Sequence, residues 1–300
     1  MMIFMGVMFI QLTLLIILVL FSVAFFSLFE RKLLSLTQSR KGPNKVSVWG
    51  VMQPVVDALK LIFKAESPPH SSIKFVYFLS PIFLFFLSSI FWLLYPVAWG
   101  MISYQESLLI IMIFYSLSVY GILLSGWFSN SKYATLGCGR ALAQSISYEI
   151  GLTTLIIGLC LMFSSSSLMN FVFFQKKMVY LFFSLFPFFI MFILSFLAEM
   201  NRSPFDLAEG ESELVSGYSV EYGGLSYTLI FLGENMALLW GSVFLSILFL
   251  SVWFCWVFVF FFVWIRASVP RIRFDKMMMM FWFNLLPLIL ALWTLVMSIW

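Results

Sequence analysis

Apolar runs long enough to cross a bilayer recur along this chain, and they dictate its fold class. A helix needs roughly 20 residues to traverse about 30 Å of hydrocarbon. Runs of that length lie near 3–28, 75–99, 106–128, 141–163, 178–200, 223–241, 243–265 and 281–300. In lipid every backbone polar group must be satisfied internally, so these runs fold as helices. The chain is 63% hydrophobic and only 10% charged, with a mean hydropathy of +1.05. That excludes an ordinary soluble domain. The expectation is an all-α integral membrane protein, one polytopic domain over residues 1–300. The sixth and seventh runs are almost continuous: a turn near Gly241-Ser242 would make two crossings of them, and one long kinked helix is the alternative. The first run lacks a basic leader and a small-residue cleavage site, so it reads as a span, not as a removable signal.

The bases test the count. Eight spans assign Arg31, Lys32, Arg40, Lys41, Lys45, Lys60, Lys64, Lys74, Lys132, Arg140, Arg202, Arg266, Arg271, Arg273 and Lys276 to one side, and only Lys176 and Lys177 to the other. The positive-inside rule then places the odd-numbered loops on the cytoplasmic or matrix side and both termini opposite. In the first of these loops, Gln53, Asp57, Lys60 and Lys64 repeat at helical spacing, with Val51, Val55, Leu59 and Ile62 along an apolar flank. This pattern predicts an interfacial amphipathic helix over 49–64. Such a helix either lies on lipid head groups or roofs a cavity.

The stretch AEMNRSPFDLAEGESELVSGYSVEY (198–222) holds six of the thirteen acids, Glu199, Asp206, Glu209, Glu211, Glu213 and Glu221, beside one base, Arg202. Carboxylates crowded against a membrane repel one another, which pushes some of them toward exchanging protons near neutral pH. Glu149 and Glu234 lie inside the fourth and sixth runs, where an acid faces the bundle interior or water. The bland reading is a protonated Glu that only packs. Three acids on three spans call for a common explanation, which is proton handling. Glu106, at the outer end of its run, reads as a solvated interfacial residue.

Some chemistries are excluded. Cys138, Cys160 and Cys255 are widely spaced and His70 is the single histidine, so no metal-ligand set is expected. There is no phosphate-binding glycine loop, and neither a nucleotide nor a nucleic-acid partner is expected.

Five blocks together resemble one family. ERKLLSLTQSRKGPN (30–44), VMQPVVDALKLIFKAE (51–66), RALAQSISYEI (140–150), the acidic stretch, and WIRASVPRIRFD (264–275) resemble, in order, the signature blocks of subunit 1 of respiratory complex I, the NADH:quinone oxidoreductase. The resemblance implies a core membrane subunit that forms part of the quinone chamber and starts a charged path toward antiporter-like subunits. It implies quinone-site roles for Arg31, Arg40, Asp57, Phe231 and Arg266. It implies proton-coupling roles for Glu149, Glu199, Asp206, Glu209, Glu211, Glu213 and Glu234. Ubiquinone would be the substrate. Flavin and iron–sulfur clusters would sit in partner subunits, with peripheral-arm and antiporter-like subunits as neighbours and lipid around them. The extended outer connection that longer members carry after the sixth span is absent beyond Gly241. Length and the richness in Phe and Met are similar to a mitochondrially encoded animal protein of the inner membrane. The alternatives are a quinone-independent membrane hydrogenase subunit and a stand-alone proton-coupled transporter.

Overall fold

The computed structural model describes residues 2–96, 105–177, 181–208 and 210–299. The described residues are helices joined by loops, without a strand. In chain order they are α1 (Met2–Thr37), α2 (Gln53–Ile62), α3 (Lys74–Leu93), α4 (Ser107–Phe128), α5 (Lys132–Phe163), α6 (Leu168–Lys177) and α7 (Leu181–Ser184). Then come α8 (Phe186–Glu199), α9 (Glu211–Leu214), α10 (Gly224–Phe249), α11 (Cys255–Ser268), α12 (Phe274–Met279) and α13 (Leu286–Ile299). Six helical segments are long and apolar enough to cross a membrane, and Phe186–Glu199 and Val252–Ser268 are shorter apolar helices.

Helix lengths explain where charge is delivered. The 36 residues of α1 extend about 54 Å, well beyond the hydrocarbon core, so its last turns carry Glu30 and Arg31 out to the interface. The 32 residues of α5 likewise begin nine positions before the expected span. The expected fifth span, 178–200, is built from α7 and α8, and residues 178–180 lie outside the described residues. These two helices part at Leu185 (φ −115°, ψ 35°), because Pro187 opens α8 and has no N–H to offer the preceding turn. Residues 97–99 of the second expected span also lie outside the described residues.

The expected turn near Gly241-Ser242 is not there. α10 runs through both residues, and the chain breaks at Leu250 and Ser251 instead. Two local facts account for this. Gly241 is a close-approach residue: a Cβ there would lie 1.8 Å from the Phe196 ring of α8. Ser242 Oγ donates to Leu239 O, 2.7 Å away, so its polar group is satisfied inside the helix. α10 is the central element, with Leu238 through Phe249 buried. Phe91, Tyr115 and Phe196 pack around it, Phe91 and Tyr115 meeting at 4.7 Å with their rings tilted by 36°. Phe75, Phe86 and Phe283 are among the large apolar side chains that point outward, as lipid contact requires.

The amphipathic helix forms as α2, shorter at its N-terminus than expected because Trp49 (φ 64°) and Gly50 (φ 73°) turn the chain just before it. Gln53 bonds Asp57 along the polar stripe at 2.8 Å, while Val55, Leu59 and Ile62 stay exposed on the apolar flank. α2 packs over α1 and α10.

Candidate functional site

The loops at the basic end fold onto one another through ion pairs. Arg31 bonds Asp57 at 2.6 Å, joining α1 to α2, and Gln53 holds the other carboxylate oxygen. Arg266, in the last turn of α11, bonds Glu30 of α1. Arg202, from the acidic stretch, lies 3.5 Å from the same Glu30 oxygen and also bonds Asn235 on α10. Asp206 bonds Arg271 at 2.8 Å, and Glu213 bonds Arg140. The acidic loop therefore carries ion pairs as well as crowded carboxylates. Two of its acids, Asp206 and Glu213, face guanidinium groups from other segments, which is how charges at a membrane surface avoid isolation.

Beside this cluster lies a cavity of about 80 Å³ between α3, α4, α8 and α10. Its wall includes Glu199, Glu234, Tyr218, Tyr115, Asn201 and Ser88. Glu199 ends α8 and is buried, and its Oε2 and Asn201 Oδ1 are buried without a hydrogen-bond partner among the described residues. Glu234 accepts a hydrogen bond from the Tyr218 hydroxyl, presented by the turn Gly217–Ser219. Arg202 and Asp206 are near enough to act electrostatically on Glu234, and Glu149, half-buried on α5, acts on Glu199. Glu149 and Glu199 thus form one electrostatic pair, and Glu199 shares the cavity wall with Glu234.

The remaining residues of interest separate clearly. Phe231 sits one turn before Asn235, half-buried and stacked on Tyr227 at 6.5 Å. Arg40 is not drawn into the cluster. It follows the end of α1, is exposed, and its Nε donates to Gln38. Glu209 lies outside the described residues, and Glu211 opens the four-residue α9 without its side chain being described.

Sequence reading missed Glu30, Arg202, Asn235, Tyr218 and Gln144 as members of the site. Gln144 is fully buried, and its amide donates to the carbonyls of Ala198 and Phe205, 2.7 Å each, tying the start of the acidic stretch to α5. The signal for Asn235 was available: it follows Glu234 directly inside an apolar run, where a second polar group needs a partner. Glu30 gave no such signal, because an acid at a span end is ordinary and its two arginines come from positions 172 and 236 residues away.

A second polar anchor fixes the start of α10. Tyr77 and Tyr222 stack at 4.4 Å, the Tyr77 hydroxyl donates to Glu221 O, and the Tyr222 hydroxyl contacts Ser80 Oγ at 3.0 Å and donates to Ser125 O. Burial pushes the Tyr222 phenol up to about 12, against the opposing effect of the Ser80 contact, so it stays a neutral donor. Glu66 accepts from the Ser226 N–H at 2.6 Å, a carboxylate at a helix N-terminus. Gly224 (φ +54°) permits this approach, since a Cβ there would lie 2.7 Å from Glu66.

The sequence profile of the NADH dehydrogenase family matches residues 10–297. The chain belongs to that family. Among its relatives is the NADH-ubiquinone oxidoreductase chain 1 of Apis mellifera ligustica, 44% identical over 289 residues and covering 94% of each chain. The protein of the same name from Aedes aegypti is 42% identical over 283 residues, covering 92% of this chain and 90% of its own. That of Metridium senile is 43% identical over 297 residues, with 93% and 89% covered. The described helices fall within or overlap the matched span, so the family match extends across the bundle.

Proposed function

We propose that this chain is the core membrane subunit of a proton-pumping NADH:quinone oxidoreductase, forming part of the quinone chamber and the start of the charged path that couples quinone reduction to proton transfer. The observation that carries this reading is the meeting, on α10, of a guanidinium cluster and a carboxylate cavity. Arg202 joins Asn235 to Glu30, which Arg266 also bonds, and Glu234 with its cavity occupies the adjacent position. The names of the relatives support the same substrate pair.

Reducing a quinone to a quinol takes two electrons and two protons. The electrons would come from flavin and iron–sulfur clusters in partner subunits. This chain would contribute the walls and the protons. Arg31, Asp57, Phe231 and Arg266 stand where α1, α2, α10 and α11 converge at the basic end, and they would border the head group and first isoprene units. Arg40, out on the loop after α1, would lie at the chamber mouth. A cavity of about 80 Å³ has room for a few waters, which would link Glu234, Tyr218 and Glu199, with Glu149 beyond. Asp206, Glu209, Glu211 and Glu213 would set the field at the inner junction.

In this reading the chain crosses the mitochondrial inner membrane eight times, with both termini on the intermembrane-space side. Peripheral-arm subunits would cap its basic end, antiporter-like subunits would flank the carboxylate path, and lipid would cover the rest. Neither the hydrogenase-subunit nor the free transporter reading gains support from the relatives, which carry the quinone reductase name.

The test separates quinone handling from electron delivery. In the assembled complex, Asp57→Ala and Arg40→Ala should raise the quinone KM about 5- to 10-fold, a loss of roughly 1–1.4 kcal/mol of binding. NADH oxidation by a water-soluble artificial acceptor should be unchanged. Failure of both reactions in a normally assembled complex would place these residues elsewhere.

A further inference from the structure

Arg202 stands where the two halves of this site touch. Its Nη2 donates to Asn235 Oδ1 at 2.5 Å, while its Nη1 lies 3.5 Å from Glu30 Oε1. Charge-assisted N–H···O bonds are usually about 2.7–2.9 Å. The contact with Glu30 is therefore loose, and the Asn235 amide is the guanidinium's nearer partner. The amide is itself held: Asn235 is fully buried, and its Nδ2 donates to Phe231 O at 2.8 Å, one turn back along α10. The opposite amide orientation would set its NH₂ against a guanidinium and its oxygen against a carbonyl, so only this one pairs both ends.

Two carboxylates share this one cation. Glu30, already bonded by Arg266, lies on the side assigned to quinone. Glu234, the residue before Asn235, lies on the cavity side and senses the Arg202 charge. We propose that Arg202 is a positioning residue that divides its charge between Glu30 and Glu234, and that Asn235 sets the division. When Arg266 turns toward a polar head group, Glu30 loses part of its counter-charge and draws Arg202 closer. Coulomb energy falls with distance, so the same movement weakens the Arg202 interaction with Glu234. Events on one side thereby reach the other without a proton or an electron crossing between them. The inference rests on the quinone reading of Arg266 and Phe231 given above.

The experiment uses the assembled complex in sealed vesicles with Asn235→Ala, Arg202→Lys, the double variant and Asn235→Asp. Turnover, quinone KM and protons moved per NADH are measured, together with NADH oxidation by the artificial acceptor. Arg202→Lys keeps the charge but not the two-pronged fork, so it should resemble Asn235→Ala. Each single variant should lower turnover at saturating quinone about 3- to 10-fold, with the quinone KM within about twofold. The double variant should be no worse than the poorer single one, because both cut the same link. Asn235→Asp keeps an oxygen facing Arg202 but sets another against the Phe231 carbonyl, so it should recover turnover only in part relative to Asn235→Ala. Normal turnover and proton yield in the single variants, or additive losses in the double, would overturn the proposal. A raised KM with unchanged turnover would also overturn it, leaving Arg202 as chamber wall and the quinone reading intact. The quinone reading itself falls if Asp57→Ala and Arg40→Ala leave quinone kinetics untouched, or abolish both reactions in a normally assembled complex. If Asn235→Ala impairs assembly, Arg202→Lys and Asn235→Asp carry the same comparison.

Discussion

At the basic end of the bundle, helix ends and loops are joined by ion pairs: Arg31–Asp57, Arg202 and Arg266 on Glu30, Asp206–Arg271 and Glu213–Arg140. At the opposite end the same task falls to neutral hydrogen bonds. Ser166 Oγ donates to Gln105 O, Ser107 Oγ accepts from the Leu168 N–H, and the buried Gln175 bridges Leu248 O and the Leu181 N–H. The contrast separates two requirements. Holding a helical bundle together at a membrane surface needs only satisfied carbonyls and amides. A concentration of charge beyond that is costly, and it is retained where charge must be moved or recognised.

The largest test of this contrast is all-or-none. If the two ends face opposite compartments, a membrane-impermeant amine reagent should modify Lys45 only from the matrix side and Lys176 only from the other. Labelling of both from one face would end the eight-span topology, and with it the assignment of every ion pair to the inner surface.

The next effect is about tenfold. Glu149→Gln and Glu234→Gln keep shape and hydrogen-bonding capacity, including acceptance from Tyr218, but cannot titrate. If the charged end works through proton exchange, both should depress turnover and proton output together by about tenfold or more. Wild-type rates and proton yields in both would reduce these acids to packing groups. The neutral end should answer differently. Gln175→Leu removes the partners of a buried carbonyl and a buried N–H and should cost about 1–3 kcal/mol of stability, read as an earlier thermal loss of the complex. Its turnover per assembled complex should stay normal. A turnover defect as large as that of Glu234→Gln would erase the distinction between the ends.

How much of this was legible in the sequence follows the same division. Apolar runs fixed the helical class because their length answers to one physical constraint, bilayer thickness. The sorting of bases marked out the charged end, and the acids inside spans named Glu149, Glu199 and Glu234 without help from structure. The break between α10 and α11 was misplaced because glycine reads as a turn and as a contact site alike, and here Phe196 decides for contact. Glu30 and Gln144 were invisible for a different reason. Each acquires meaning only from partners far along the chain, Arg202 and Arg266 for the first, the carbonyls of Ala198 and Phe205 for the second. Periodicity and spacing report local order and cannot report such meetings. The pairing of Asp206 and Glu213 was out of reach likewise, since Arg271 and Arg140 arrive from other segments.

The smallest effect sharpens the comparison most, because it separates two kinds of ion pair within the charged end. The Arg31 and Asp57 side chains are 51% and 33% exposed, whereas Glu30 is 11% exposed between its two arginines. An exposed pair gains little over hydration and is screened by salt, so Arg31→Ala should cost only about 0.2–1 kcal/mol of stability. Glu30→Gln leaves two guanidinium groups without their carboxylate and should cost about 3 kcal/mol. Arg31→Ala should nevertheless raise the quinone KM, as Asp57→Ala does, since the pair is argued to border the chamber and not to hold the bundle. The decisive measurement is the ratio of the two consequences: a small shift in thermal stability beside a clear rise in KM. A large loss of stability with normal quinone kinetics would make Arg31–Asp57 a structural clamp. Charge at this end would then serve assembly there, and recognition only around Glu30 and Glu234.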